Sequence, residues 1–252
     1  SAIYAAMLTP QGKFLFDFFM YQWKSSILIE TEGNRLAQLK KRLRMYKLRA
    51  KIDLEDVTAS WSVTAIWGPD VLTSIGLSKN PGSATVWQGG LIAVDPRIPS
   101  AGARALLPKN HNIQLPGNSV SHSEYDLHRL DLGLPDGGRD MILEKSILLE
   151  NGFDELNGIN WDKGCYIGQE LTARTKYRGL IKKRLVPVKV DGVMPPAGTP
   201  ILLDGKSVGE LRSGRNDRAL AILRIEHLQK TGSTFTAENT TVLPKKPNWA
   251  DF

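Results

Sequence analysis

The sequence predicts an α+β protein that ends in a small β-barrel, and three observations support this fold class. The chain of 252 residues is long enough for one large domain or two modest ones with a buried core. In its first half, segments typical of strands surround one helical segment, which indicates a mostly antiparallel sheet. From residue 182, short strand-like segments alternate with Gly- and Pro-containing turns, as in barrels and sandwiches. We therefore predict two domains, residues 1–181 and 182–252.

The first domain begins with apolar, aromatic-rich segments that we predict to be strands at 2–8, 13–21 and 26–31. The turn residues Thr9-Pro10-Gln11-Gly12 separate the first two and predict a hairpin. A helix follows, with one apolar face formed by Leu36, Leu39, Leu43 and Tyr46. Further strands are expected at 49–53, 61–67, 91–95 and 103–107, with a short helix from Pro69. A later helix should begin at Ser121 and end at Gly133.

The second domain shows the regularly spaced turns of a small all-β unit. We expect its strands at 183–190, 200–203, 207–213 and 218–225. Turn-forming pairs lie between them at Pro195-Pro196, Asp204-Gly205 and Asn216-Asp217. This spacing predicts a barrel or sandwich that follows the α+β domain.

Composition limits the classes of protein that the chain can belong to. Its single cysteine, Cys165, excludes an intramolecular disulfide, a Cys₄ zinc site and a cluster held by its own thiolates alone. We assign no metal-ligating set. Apolar runs fall short of the ~20 residues that a membrane span needs, so we expect no membrane partner. No secretory leader is visible, and a strand directly after Ser1 leads us to expect that further residues precede it.

The formal charge is +7, from 33 Lys and Arg against 26 Asp and Glu. A positive balance favours anionic partners, of which nucleic acid is the usual first choice. Because the charges are distributed along the chain, we favour a solvated basic surface over a nucleic-acid site.

The densest chemistry lies in Lys163-Gly164-Cys165-Tyr166-Ile167-Gly168-Gln169-Glu170. Its glycines permit tight turns beside a ligand, and a helix is expected to begin at Gln169 with free amide donors. Cys165 would lie near Lys163 and this positive helix end, both of which favour a thiolate. From the residues alone, a reactive or ligand-contacting thiolate and a small buried apolar side chain are equally good interpretations.

This segment resembles the K-G-C-Y-x-G-Q-E signature of YgfZ-type folate-binding proteins, which act in iron–sulfur cluster assembly or repair. They are related to the T-protein of the glycine cleavage system, an aminomethyltransferase that uses tetrahydrofolate. The agreement covers essentially the whole chain and includes Thr9–Asp17, Leu149-Glu150, Asn157-Gly158-Ile159, Arg174-Thr175 and Gly209–Gly214. The resemblance implies antiparallel sheets with packed helices, ferredoxin-like parts and a C-terminal barrel. It also implies that a leading segment before Ser1 helps to line the folate site.

The resemblance implies tetrahydrofolate, or a one-carbon-substituted folate, as the cofactor. Asp17 matches an aspartate at the reactive end of the folate, although a water-facing strand aspartate is the alternative. Tyr125 matches an aromatic residue beside the folate, or else it is a core tyrosine of a helix. Glu150 matches the acidic residue that holds the pterin, which a carboxylate can do through paired hydrogen bonds.

The motif itself contributes Lys163, Tyr166 and Gln169 to the expected cofactor contacts, and Arg184 follows them. With Arg174, Lys182 and Lys183, Arg184 can hold the polyglutamate tail of a folate or the phosphates of an RNA. A plain solvated start of a strand is the alternative. The pair His128-Arg129 is expected to be structural.

The T-protein pattern lacks the cysteine of this motif, so the resemblance argues against glycine cleavage and for cluster assembly. Cys165 and Asp17 are the catalytic candidates, although no turnover reaction follows from the sequence. The partners expected are iron–sulfur client or assembly proteins. One alternative is one-carbon transfer to or from tetrahydrofolate, and another is an RNA-contacting protein linked to tRNA modification. We expect the bacterial cytoplasm as the compartment, with the mitochondrial matrix as the alternative.

Overall fold

A computed structural model describes residues 1–109, 114–228 and 234–252. The chain forms two compact units, one of residues 1–5 and 16–118 and the other of residues 6–15 and 119–252. This grouping divides the chain inside the first hairpin, since the hairpin turn belongs to the second unit. The domain boundary at residue 182 stays a prediction.

The first unit consists of sheets with two helices. Its elements in chain order are β1 (Ala2–Leu8), β2 (Phe14–Trp23), β3 (Ser26–Glu30), α1 (Leu36–Lys47), β4 (Trp61–Ile66), α2 (Val71–Ser74), β5 (Ala84–Trp87), β6 (Gly90–Val94) and β7 (Ala103–Pro108), of which β1 and β2 continue into the second unit. One sheet has the order β1-β2-β3, and the other has the order β4-β7-β6-β5 with antiparallel pairs. Strand β6 is buried along its whole length, which explains its uninterrupted apolar sequence.

The second unit contains helices followed by the barrel. Its further elements are α3 (His122–Leu132), α4 (Gly137–Asp140), α5 (Gln169–Tyr177), β8 (Lys183–Asp191), β9 (Pro200–Leu203), β10 (Lys206–Arg215), β11 (Arg218–Arg224), α6 (Ile225–Leu228), β12 (Phe235–Ala237) and β13 (Thr240–Pro244). The barrel closes in the order β10-β11-β8-β13-β12-β9. Alternate residues of β8, Val186, Val188 and Val190, point into its core, as a period of two requires. The predicted α+β class with a C-terminal barrel is confirmed.

One strand prediction was wrong, and three strands were missed. Residues 49–53 do not form a strand, because the Ala50 amide donates to the Lys47 carbonyl and the Ile52 amide to the Ala50 carbonyl in a turn after α1. All five residues are exposed, so the face that Ala50 and Ile52 would share is not buried in a core. Strands β5, β12 and β13 were missed, since they are short and lie among turn residues.

A buried ion network joins α3, α4 and β10 within the second unit. The Arg129 guanidinium donates to Asp126 at 2.7 Å, to Asp140 at 2.8 Å and to the Ser213 hydroxyl at 2.6 Å. Asp126 also accepts from Arg139 at 2.6 Å and Arg215 at 2.8 Å. Burial alone would raise the pKa of Asp126, but these hydrogen bonds and the Arg129 charge hold it well below its usual range. The structural role expected for Arg129 is confirmed.

Candidate functional site

The cysteine motif forms a loop that leads into α5. The Asn160 side chain begins the loop by accepting the Asp162 amide at 2.9 Å and the Lys163 amide at 3.0 Å. Closer to the helix, the Tyr166 amide donates to Gln169 Oε1 at 3.3 Å. Cys165 lies between these two turns and is exposed, with a free thiol. The interpretation as a small buried apolar side chain is therefore wrong.

Close packing of two glycines holds the start of α5 against the first hairpin turn. Gly168 caps the helix with φ of +83°, and a Cβ there would lie 2.7 Å from the Thr9 carbonyl oxygen. A Cβ on Gly12, whose φ is +70°, would lie 3.2 Å from the Gly168 carbonyl oxygen. By contrast, a Cβ on Gly164 would meet nothing within 4 Å. Close packing and a positive φ thus explain why glycine is needed at positions 12 and 168, but they do not explain the glycine at position 164.

A clamp formed by Asp154, Trp161, Lys176 and Tyr177 joins the entry of the loop to the end of α5. The Trp161 indole donates to Asp154 Oδ1 at 2.6 Å, and Lys176 pairs with Asp154 Oδ2 at 2.8 Å. The Lys176 ammonium also lies 4.2 Å from the centre of the Trp161 ring. The Tyr177 ring meets Trp161 edge-on, with centroids 5.9 Å apart. The loop that presents Cys165 is therefore held at both ends.

Within the loop, Lys163 and Tyr166 lie together. The Lys163 ammonium is 4.8 Å from the centre of the Tyr166 ring. The Tyr166 hydroxyl is buried and has no hydrogen-bond partner within residues 1–109, 114–228 and 234–252. Burial raises the pKa of this tyrosine, and Asp154 and Tyr177 add to the shift. A buried hydroxyl without a partner is costly, and a bound ligand can satisfy it.

Glu150 is half-buried in a short 3-10 helix, Leu148–Asn151. Burial raises the pKa of its carboxyl, and the charges of Lys183, Lys13 and Arg212 act in the opposite direction. Arg212 Nε is itself buried and lacks a hydrogen-bond partner among the residues that the structure describes. A partly desolvated carboxylate influenced by three positive charges is a polar site that can accept hydrogen bonds from a ligand.

Arg184 is buried rather than exposed to solvent. Its guanidinium donates to the Leu149 carbonyl at 2.7 Å, pairs with Glu155 and lies 4.9 Å from the centre of the Phe252 ring. These partners give Arg184 a structural role, and its contact with a folate tail stays a prediction. The charges that lower the pKa of the Glu150 carboxyl are those of Lys183, Lys13 and Arg212, and not that of Arg184.

Tyr125 and Asp17 lie in different units and are described separately. Tyr125 is half-buried on α3, directly before the Asp126 of the ion network, so its helix is firmly held. Asp17 lies half-buried on β2, where its Oδ2 accepts a hydrogen bond from the Tyr4 hydroxyl at 2.9 Å. Burial raises the pKa of Tyr4, and the Asp17 charge adds to the shift. Asp17 is thus neither fully buried nor fully exposed to water, and its catalytic and folate-binding roles stay predictions.

No pattern in the sequence identifies several residues of the site. Lys13 and Arg212 are far from Glu150 along the chain, and only tertiary contacts reveal their influence. The clamp contains one local signal, since Trp161 lies two residues before the motif and large aromatic residues are uncommon in exposed loops. In the part of the chain that the structure describes, no group of three His, Cys, Asp or Glu residues is placed to hold a metal ion. The helices described there are also too short or too polar to cross a membrane.

The fold and its barrel define a class of protein. The structure matches that of aminomethyltransferase T of the glycine cleavage system from Bartonella henselae with a TM-score of 0.68, covering 99% of this chain and 76% of the other at 15% identity. Residues 182–252 match the family model of the CAF17 C-terminal β-barrel domain. The chain therefore has the aminomethyltransferase fold with a C-terminal β-barrel, which confirms the T-protein-like architecture.

Sequence comparison identifies the family within this class. The chain is 31% identical to the mitochondrial iron–sulfur cluster assembly factor IBA57 of Mus musculus, covering 96% of this chain and 72% of that protein. It is 32% identical to the human IBA57, covering 90% of this chain and 65% of that protein, and 28% identical to the homologue of Mycosarcoma maydis, with 94% and 66%. The chain belongs to the IBA57 family of iron–sulfur cluster assembly factors.

These relatives refine two expectations. The chain spans about two thirds of the length of the human and Mycosarcoma proteins. All three relatives are named as mitochondrial proteins, so the bacterial cytoplasm that we expected first finds no support in them. The resemblance to cluster-assembly proteins is confirmed at the level of the family, whereas the narrower YgfZ type stays a prediction.

Proposed function

We propose that this protein serves iron–sulfur cluster assembly or repair by presenting Cys165 as a thiolate ligand to a cluster shared with a partner. The observation that carries this proposal is the exposed thiol on a loop clamped at both ends. Rigid support matters, because a ligand held in place loses little conformational entropy when it binds iron. The relatives are named as iron–sulfur cluster assembly factors, so we infer that the thiol binds an iron–sulfur cluster.

The cluster is cargo in this proposal and requires ligands from a second molecule. Cluster irons are held by several thiolates, whereas this chain has one cysteine. On binding iron, Cys165 releases its proton to solvent, and the remaining ligands come from a client or an assembly protein. Shared ligation also provides a route for cluster transfer. The cluster passes from one protein to the other when the thiolates of the second protein replace those of the first.

We further propose tetrahydrofolate as the cofactor of the second unit. The residues fit a pterin: the half-buried Glu150 carboxylate can accept from its amino and N–H groups, and the unpartnered Tyr166 hydroxyl and Arg212 Nε can satisfy further polar atoms. The open space at Gly164 would let a ligand approach the backbone. When bound, tetrahydrofolate supplies a reduced pterin that carries one-carbon units. The narrower YgfZ-type assignment rests on this cofactor.

The mitochondrial matrix is the compartment that we propose. Three relatives, two mammalian and one fungal, are named as mitochondrial, and their matches cover 96%, 94% and 90% of this chain. A single free thiol suits a reducing compartment of this kind.

The thiol is tested by replacing Cys165 with Ala in the full-length protein and assaying rescue of cells that lack their own assembly factor. We expect loss of rescue and of iron–sulfur enzyme activity with an unchanged melting temperature. Ile167→Ala is the matched control, because Ile167 is an exposed neighbour in the same loop. Full rescue by Cys165→Ala would show that the thiol is dispensable.

The cofactor is tested by titrating the full-length protein with tetrahydrofolate while following tryptophan fluorescence. We expect saturable quenching, and about tenfold weaker binding for Glu150→Gln, since one charge-assisted hydrogen bond is lost. Glu226→Gln, at an exposed carboxylate on α6, serves as the control for a lost carboxylate. Absence of binding to the unaltered protein would refute the folate proposal while leaving the role of Cys165 intact.

A further inference from the structure

The excess positive charge of this protein is concentrated in one segment. Eight Lys and Arg and no acidic residue lie between residues 35 and 51, namely Arg35, Lys40, Lys41, Arg42, Arg44, Lys47, Arg49 and Lys51. The other 25 Lys and Arg of the chain are matched by 26 Asp and Glu. The charge is therefore not distributed evenly, contrary to the expectation from the sequence. We call residues 35–52 the basic segment, which comprises α1 and the turn after it.

The basic segment also exposes large apolar side chains. Leu48 is 86% exposed, Met45 60% and Ile52 51%, and Tyr46 is exposed beside them. The apolar face of α1 does not account for them, because Leu39 is buried and Leu36 and Leu43 are half-buried against the first unit. Single exposed apolar residues are ordinary, but four within eight residues form a patch.

The backbone at the end of α1 presents this patch. Leu48 has φ of +46° and ψ of −115°, a conformation that is unfavourable for a residue with a side chain. The chain then turns, with the Ala50 amide bonded to the Lys47 carbonyl, and Ile52 follows on the exposed side of the turn. The acids that come next, Asp53, Glu55 and Asp56, lie beyond the cations, and Asp53 is 3.6 Å from the Lys47 ammonium. The exposed Leu48 thus protrudes among Lys and Arg side chains.

The geometry points to an interfacial binding site for an anionic phospholipid surface, formed by the basic segment. Cations attract the phosphates of the headgroups, and Leu48, Met45 and Ile52 insert at the boundary of the acyl chains. The long Lys and Arg side chains can reach back to the headgroups while the apolar groups enter. This association lies on the surface and needs no spanning helix, and it is independent of the proposed role in cluster assembly.

A lipid surface explains the segment better than an RNA does. Both partners supply phosphates that bind the cations. RNA bases stack on aromatic side chains, but RNA has no apolar phase in which aliphatic side chains can be buried. The three most exposed apolar residues of the basic segment, Leu48, Met45 and Ile52, are all aliphatic or thioether side chains. Transfer of these side chains from water into hydrocarbon is favourable, whereas contact with a phosphate backbone does not remove them from water.

The test is flotation of the full-length protein with phosphatidylcholine vesicles that contain either no anionic lipid or about 30 mol% phosphatidylglycerol. We expect binding to the anionic vesicles alone, weakening as salt rises. Leu48→Ser with Ile52→Ser should reduce the partition coefficient about tenfold at unchanged charge, because the apolar transfer is lost. Lys41→Gln with Arg44→Gln and Lys51→Gln should reduce it by at least as much.

Val193→Ser is the matched control, because Val193 is also 86% exposed but lies in the barrel unit. Circular dichroism and melting temperature should show that every variant is folded. Three results would each overturn the proposal: no binding to anionic vesicles, the same loss for Val193→Ser as for the Leu48 and Ile52 pair, or binding to a single-stranded RNA that needs the cations but not Leu48 and Ile52.

Discussion

At the scale of single residues, the two glycines of the cysteine loop differ in their physical roles. Gly168 is required by its positive φ and by the Thr9 carbonyl beside it, whereas Gly164 has open space at its Cα. Gly168→Ala should lower the free energy of unfolding by about 3 kcal/mol through strain and overlap. Gly164→Ala should change it by less than about 0.5 kcal/mol. Urea unfolding measures both, and equal effects would contradict the packing of Gly168 against Gly12.

The Glu150 carboxyl provides a second prediction at this scale. Burial raises its pKa, so the folded state binds a proton more readily than the unfolded chain. Stability contributed by this proton is present below the unfolded pKa, near 4.3, and is lost as pH rises through the folded pKa. Glu150→Gln should therefore be more stable than the unaltered protein at neutral pH, and the difference should vanish near pH 4.

Urea unfolding of both proteins across this pH range, without folate, measures the difference. Glu226→Gln, at an exposed carboxyl on α6, is the control for the loss of a carboxyl in itself. A Glu150→Gln variant that is less stable at neutral pH would show that the charged carboxylate is held by Lys183, Lys13 and Arg212 more strongly than burial penalises it.

At the scale of elements, Asp154 connects the loop entry with the end of α5. Asp154→Ala removes both the indole hydrogen bond and the Lys176 pair and should cost roughly 1–2 kcal/mol of stability. Asp154→Asn retains an acceptor for Trp161 and loses only a partly exposed ion pair, so it should cost about 0.5 kcal/mol. Hydrogen exchange of residues 160–168 should accelerate in the Ala variant and little in the Asn variant. Unchanged exchange in both would mean that the loop is held by its backbone turns alone.

The elements also show which local patterns were informative. The Thr9–Gly12 turn and the turn-forming pairs Asp204-Gly205 and Asn216-Asp217 predicted their elements correctly, because these signals come from neighbouring residues. Arg49–Asp53 was interpreted as a strand on local composition, but it has no strand beside it to accept its hydrogen bonds. Strand formation depends on a partner strand, which can be distant in the chain, so short strands such as β5 are the hardest to predict.

At the scale of the whole molecule, the Asp126 network predicts sensitivity to acid. Because arginines hold the pKa of Asp126 below its usual range, its contribution is present above about pH 4 and is lost as pH falls further. Asp126→Asn should lower stability at pH 7 by about 3 kcal/mol, since buried arginines lose their partner. It should also flatten the loss of stability below about pH 4. Urea unfolding from pH 7 to about pH 3 tests this, with the exposed Asp191→Asn as the control. Parallel pH profiles for the Asp126 variant and the unaltered protein would contradict the prediction.

The sequence by itself determined the α+β class, the barrel and the cysteine motif, because each depends on residue types at short, regular spacing. The tertiary structure decided how those parts are used. It exposed Cys165, buried Arg184 against Leu149 and Glu155, and set Lys13 and Arg212 to act on Glu150. It also revealed that the excess charge of one segment surrounds exposed apolar side chains. Burial and long-range pairing arise only when distant segments pack, so no local pattern can specify them.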